Sequence, residues 1–286
     1  MLDPTRTLSL RRKFAQTIGA AYGLLRIQIK KAVIDEDGFG LKSPNITTNT
    51  RFVFETTSGK VSAFKDWLQE QIEEGILRID SDGFVESSYK KAVERSYIDV
   101  KKLAKDSLAP DVFAEGQKAQ FLQSTFSASI TQEQLELIFT RTYDNLKGVT
   151  DEMGRKMSQT LARGLADGLS PRNIARDLTD ILDGDKKRAL RVARTEMINA
   201  YAEGQLDTYE QLGIDKVGVL AEWITANDPC PRCASAATKV YTIKAARGLI
   251  PLHPNCRCAW APYVERPGVK GKKRAKRRPA VSTLAV

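Results

Sequence analysis

Histidine is almost missing from this chain: there is one, His253, in 286 residues, beside only four cysteines. Scarce imidazole leaves little material for general acid–base chemistry, which most often runs on histidine. Long apolar runs are also missing. No stretch approaches the ~20 apolar residues a membrane-spanning helix needs. The start, Met1-Leu-Asp-Pro-Thr-Arg-Thr-Leu-Ser-Leu-Arg-Arg, lacks an apolar core followed by a small-residue cleavage site, so no secretory signal is expected. Hydrophobic residues still make up 42% of the chain, which excludes wholesale disorder and allows about two domains.

What is scarce is also concentrated. All four cysteines and the histidine lie between 230 and 258, as Cys230-Pro-Arg-Cys233 and, after nineteen residues, His253-Pro-Asn-Cys256-Arg-Cys258. Zinc takes four thiolate or imidazole donors in a tetrahedron, and Cys-x-x-Cys offers two sulfurs from one tight turn. His253 and Cys256 repeat that three-residue step. Five candidates compete for four places: Cys230, Cys233, His253 and Cys256 are the preferred set, with Cys258 as spare or substitute. Cys256 and Cys258 would share a face on an extended strand, so sidedness does not separate them. Two disulfides are the alternative, with three possible pairings.

Charge is uneven too. Of the net +10, +7 falls in residues 265–286, where eight basic residues meet one acid. Lys270, Lys272, Lys273, Arg274, Lys276, Arg277 and Arg278 have almost nothing apolar between them, so a disordered tail is expected. Such a polycation suits non-specific binding to the phosphates of double-stranded DNA, or it serves only solubility.

The first two thirds reads as helices. Asp3-Pro4 looks like an N-cap with proline in the first turn, ahead of Phe14, Ile18, Tyr22 and Leu25 at helical steps. Residues 35–50 read as a loop. A helix follows through Val61, Phe64, Trp67, Leu68 and Ile72, then one over 86–105 with Tyr89, Val93, Tyr97 and Val100, and a break at 108–111. Thr131-Gln-Glu-Gln134 reads as a capping box for a helix to Leu146. Thr150 opens another ending near Gly168, Ser170-Pro171 a short one to Leu182, and a long helix spans 185–212 before Gly213. Strand-like runs follow at 217–225, 239–243 and 256–263, a lobe too small to stand on its own core.

The stretch Val192-Ala-Arg-Thr-Glu196, the helix to Gly213, Trp223, Asp228-Pro-Cys-Pro-Arg-Cys233 and Pro251-Leu-His-Pro-Asn-Cys-Arg-Cys258 together resemble the phage Mu F-like head morphogenesis (minor head) proteins. The resemblance covers about 170–262 and extends to about 132; the first 130 residues match no family. It implies a minor structural protein of a tailed phage or prophage, present in the virion head or at the portal vertex and in host cytoplasm during assembly. Its implied partners are the portal protein, scaffold or major capsid protein, and packaged DNA. It does not identify a metal; zinc is inferred from donor spacing alone.

The expected fold is mainly α, with a helical region of unknown role at 1–108, the helical part of the module at 109–213, a small α+β Cys/His lobe at 214–264, and the tail at 265–286. Arg194 or Glu196 is expected to tie the long helix to the lobe through Asp228 or the first knuckle. Glu196, Asn199 and Glu203 share a helix face that reads as solvated or structural. Trp223 is expected in the core and Asp228-Pro229 in a turn. A non-enzyme is favoured over a metal-dependent nuclease, because the only histidine already belongs to the cluster. A cellular zinc-bearing DNA-binding protein is the other alternative, without regular finger spacing.

Overall fold

The computed structural model describes residues 3–41, 56–105, 117–212 and 219–264. The 108–111 break, the Gly213 stop, most of the 35–50 loop and the whole basic tail lie outside them. The described residues are mostly helical, with one three-stranded sheet. Among them no helix is long and apolar enough to cross a membrane.

Six long helices precede the sheet: α1 (Leu8–Lys30), α2 (Thr57–Ile72), α3 (Ser81–Lys105), α4 (Gln117–Ser127), α5 (Ser129–Ala166) and α6 (Pro171–Gln211). Single π-helical turns extend α1 (Lys31–Asp35) and α2 (Glu73–Leu77). The apolar stripes are buried where periodicity places them, from Phe14, Ile18, Tyr22 and Leu25 to Tyr89, Val93, Tyr97 and Val100.

Three boundaries differ from the sequence reading. Asp3 does not cap α1. Its carboxylate accepts from the amide and hydroxyl of Thr5 and pairs with Arg11, while the first helical bond runs from the Arg11 amide to the Thr7 carbonyl. Thr131 and Thr150 lie inside one continuous α5, and the Thr150 hydroxyl donates back to the Lys147 carbonyl. The 182–185 break is also absent. Ile174, Leu178, Leu182, Ala189, Ala193 and Met197 form an unbroken buried stripe, and one core-facing seam holds a single α6 across Gly184. The Ser170-Pro171 start is as expected: the Asn173 amide donates to the Ser170 hydroxyl at 3.3 Å. Gly168, at φ +65°, turns the chain out of α5 in the left-handed conformation glycine tolerates.

The chain forms two compact units, each gathered from separated stretches. One comprises Phe14–Asp80 and Tyr143–Val192. Its buried side chains include Phe64, Leu68 and Ile72 of α2, Leu146, Met153 and Met157 of α5, and the first half of the α6 stripe. Phe39 meets Phe64 edge-on, with ring centroids 5.4 Å apart.

The other unit comprises Met1–Lys13, Ser81–Thr142 and Ala193–Ala285. Helices α1, α5 and α6 each contribute to both units. In this second unit β1 (Val219–Ile224) lies between β2 (Val240–Tyr241) and β3 (Ala259–Val264), both antiparallel to it. Two short helices, α7 (Pro231–Ala236) and α8 (Ile243–Ala246), fill the connections. The second strand is shorter than expected because Ile243 turns into α8, capped by Thr242, whose hydroxyl accepts from the Ala245 amide. Trp223, Tyr241 and Trp260 form an aromatic core; Trp223 and Trp260 meet at 5.2 Å and 81°.

Helix α3 approaches α6 closely at Gly204. A Cβ there would stand 2.9 Å from the Tyr89 carbonyl oxygen and 3.1 Å from the Ala92 Cβ. Gly204→Ala should cost about 1–3 kcal/mol by overpacking. Gly148→Ala, on an exposed face of α5 with open space around it, should stabilise by about 0.5–1 kcal/mol. Urea denaturation of both variants checks the opposite signs.

Candidate metal centre

Two loops of the lobe carry the donors. Cys230 caps α7, with Pro231 in the first turn and the Cys233 amide donating to its sulfur at 3.5 Å. That turn presents both sulfurs on one side. In the second loop the Cys256 amide donates to the His253 carbonyl at 3.1 Å, and Asn255 takes a positive φ, which asparagine tolerates better than most residues.

The loops meet sulfur to nitrogen. His253 Nε2 lies 3.2 Å from Cys230 Sγ and 3.1 Å from Cys233 Sγ, and Cys233 Sγ lies 3.9 Å from Cys256 Sγ. Tetrahedral zinc with Zn–S of ~2.3 Å and Zn–N of ~2.0 Å requires S–S edges near ~3.8 Å and S–N edges near ~3.5 Å. These three separations lie within half an ångström of those edges, while Cys256 does not lie within 4.8 Å of all three of Cys230, Cys233 and His253. All four cysteines are free thiols, and 3.9 Å is far from the ~2.05 Å of a disulfide.

The donors form two overlapping sets, Cys230/Cys233/His253 and Cys233/Cys256/Cys258, which share Cys233. All five expected donors are therefore brought together and could hold a metal ion. His253 Nδ1 lies 2.8 Å from the Pro254 carbonyl. A carbonyl only accepts, so Nδ1 carries the proton and the Nε2 lone pair faces the sulfurs. The Cys256 thiol is pulled well down by hydrogen bonds from Cys233 and Cys258, and the same sharing pushes Cys233 up.

Several residues of α6 bond to the lobe, and Glu196, an expected tether, has a partner of its own. Glu196 pairs with Arg141 of α5 at 2.8 Å, and Arg194 is exposed. Asp228 is bound by Arg257 at 2.8 Å, which lowers its carboxyl. Thr195, Glu203 and Gln205 attach α6 to the lobe. Thr195 Oγ1 accepts from the Asn255 amide at 3.3 Å, holding the second donor loop. Glu203 accepts from the Gly248 amide at 3.0 Å and from Arg247 at 3.1 Å, and Arg247 also reaches Asp207 at 2.6 Å and pairs with Glu210. The face of Glu196, Asn199 and Glu203 is thus buried, not solvated.

Gln205 closes the sheet. Trp223 directs its amide and carbonyl toward the β2 side, to Lys239 and Thr238, so at the paired Trp260 the peptide groups point outward from β3. The Gln205 side chain takes both: the Trp260 amide donates to its Oε1 at 2.9 Å and its Nε2 donates to the Trp260 carbonyl at 2.6 Å. One side-chain amide replaces the peptide of a missing neighbouring strand. The spacing of Glu203 was visible in sequence, and Thr195 and Arg257 lie inside the quoted motifs without a role assigned there, but nothing local marks Gln205 or Arg247.

Residues 155–261 match the family model described as Phage Mu protein F like protein. That segment is Mu F-like. The match covers less than half of the chain, yet it takes in all of α6 and every donor of the cluster. No curated protein and no solved structure matches the chain. The motifs quoted from 192 to 258 all fall inside the Mu F-like segment, as do Thr195, Glu203 and Gln205.

Gln205→Leu should destabilise the Mu F-like segment by about 1–3 kcal/mol for each orphaned Trp260 group, and Gln205→Glu should recover little, since a carboxylate cannot donate to the carbonyl. Denaturant midpoints measure both. Burial raises the Glu203 carboxyl against the opposing pull of the Gly248 amide and Arg247. The folded state therefore holds that proton more tightly than the unfolded chain. This contribution is full below about pH 4.3 and is lost as pH climbs through the raised value. Glu203→Gln should remove that part of the pH dependence, seen as a flatter midpoint-versus-pH curve than wild type.

Proposed function

We propose that the chain is a minor head (head morphogenesis) structural protein of a tailed phage or prophage. It associates with the portal, and with packaged double-stranded DNA, during procapsid assembly or DNA delivery. The observation that carries this reading is the family match over 155–261, which contains both the long helix and the lobe docked on it. A helix-mounted, tightly fastened lobe suits docking to partner subunits, with scaffold or major capsid protein as further neighbours. The working places implied are the virion head or portal vertex and, before assembly, the host cytoplasm.

We assign the donor cluster to a structural zinc ion held by Cys230, Cys233, His253 and a sulfur of the Cys256/Cys258 pair. The edge lengths and the fixed histidine tautomer support it. Zinc would cross-link two loops that a three-stranded sheet alone holds weakly. Purified protein should carry one zinc per chain, and a chelator should melt the lobe, followed through Trp223 and Trp260 fluorescence, before the helices lose their circular dichroism. Metal-free protein with intact disulfides would overturn the assignment.

The same geometry supports our reading of a non-enzymatic role. The Nδ1 nitrogen of His253 faces a carbonyl and Nε2 faces two sulfurs, so the histidine a metal nuclease would use to activate water is committed elsewhere. DNA contact is assigned to Lys270, Lys272, Lys273, Arg274, Lys276, Arg277 and Arg278. With about seven phosphates neutralised, log K should fall by about 6 per log unit of salt. Truncation after Val264 should abolish most of that slope in filter binding; an unchanged slope would move the contact to the body. Comigration of the full chain with its portal ring tests the portal clause, and separate migration defeats it.

A further inference from the structure

The five donors of the lobe do not surround one point. They form two triads, Cys230/Cys233/His253 and Cys233/Cys256/Cys258, each with its ligand atoms within 4.8 Å of one another. Cys233 belongs to both, and neither Cys256 nor Cys258 joins the first. In the first triad His253 Nε2 stands 3.2 Å from Cys230 Sγ and 3.1 Å from Cys233 Sγ. In the second, Cys233 Sγ stands 3.9 Å from Cys256 Sγ. Sulfurs around a trigonal ion with bonds of ~2.3 Å lie ~4.0 Å apart, so this edge already has the length a three-coordinate centre needs.

The triads also differ in their surroundings. All three cysteines of the second are buried, whereas Cys230 and His253 are half-buried. Among the described residues, no fourth His, Cys, Asp or Glu ligand atom completes the second triad within the same span. Zinc in a structural site takes four ligands. Copper(I) is satisfied by three, and soft thiolates select it. A thiolate keeps lone pairs after binding one ion, so a single sulfur can bridge two.

The geometry points to a binuclear site: two copper(I) ions, one in each triad, joined through the sulfur of Cys233. The inference rests on the reading of the cluster as a metal centre and adds a second class of occupant to it. Zinc, needing four donors, must draw one sulfur of the Cys256/Cys258 pair toward Cys230 and His253. Copper(I) uses both triads as they stand. The lobe therefore takes one zinc or two copper(I) ions, and the two metals exclude each other because both need Cys233. His253 serves either occupant through Nε2, since its Nδ1 faces the Pro254 carbonyl.

The test is an anaerobic titration of reduced, metal-free full-length protein with copper(I), supplied as its acetonitrile complex against a chromogenic copper(I) chelator. Wild type should take two copper(I) ions per chain, and zinc-loaded wild type should release its zinc as they enter. Cys256→Ser and Cys258→Ser should each hold one copper(I) ion, while still binding zinc through the remaining sulfur of the pair. Copper-edge X-ray absorption of wild type should show five copper–sulfur bonds for each copper–nitrogen bond. One copper(I) ion per chain in wild type would overturn the proposal, and so would two in both serine variants. One zinc with only one copper(I) ion defeats the binuclear site and leaves the zinc assignment standing. Two copper(I) ions without any zinc uptake remove the zinc assignment alone, and uptake of neither metal removes both. Wild-type stoichiometry is decisive by itself, so misfolding of a serine variant does not shield the idea.

Discussion

The contact of His253 Nε2 with the sulfurs of Cys230 and Cys233 is the constraint on which the C-terminal lobe depends. Nineteen residues separate the two donor loops, and β2 between them is only two residues long. A sheet this small cannot by itself hold two irregular loops face to face against the entropy of ordering them. Convergent soft donors around the proposed zinc ion would, with the aromatic packing of Trp223, Tyr241 and Trp260 beside them in the same core.

The second dependence is on α6. Its buried face is polar over one stretch, and three of the groups there bond to the lobe. Glu203 receives a backbone amide and an arginine, Thr195 receives the amide of the residue before Cys256, and Gln205 completes the outer edge of β3. Buried groups of this kind are costly when unpaired, so they specify one docking geometry more sharply than apolar contacts could. Pro262 in β3 further blunts that strand toward foreign partners. The polar seam therefore links the helix and the lobe in one arrangement, and the family match spans both.

Local chemistry made part of this legible in the sequence. The Ser170-Pro171 start and the Gly168 stop were readable because capping acts within one helical turn. The helical stripes were readable because burial repeats every three to four residues. The donor cluster was readable because soft ligands are rare and all lie within 230–258. Thr150 and the 182–185 segment misled for one reason: a capping residue or a glycine offers a helix end but does not impose one when the apolar seam on either side stays in phase, whereas α5 begins at Ser129, two residues ahead of Thr131. Glu196, Asn199 and Glu203 were placed on one face correctly, yet their burial depended on which surface came to cover them.

The sequence by itself determined the helical character of the chain, the Ser170 cap, the core positions and the five donors that converge, since each follows from residue type and short-range spacing. Only the tertiary structure decided that α5 and α6 run unbroken and that two units interleave along the chain. It alone decided that Thr195, Glu203 and Gln205 bond to the lobe. Those outcomes hinge on which backbone amides and carbonyls are left unpaired once the strands have assembled. That is a property of the folded arrangement, and no window along the chain contains it.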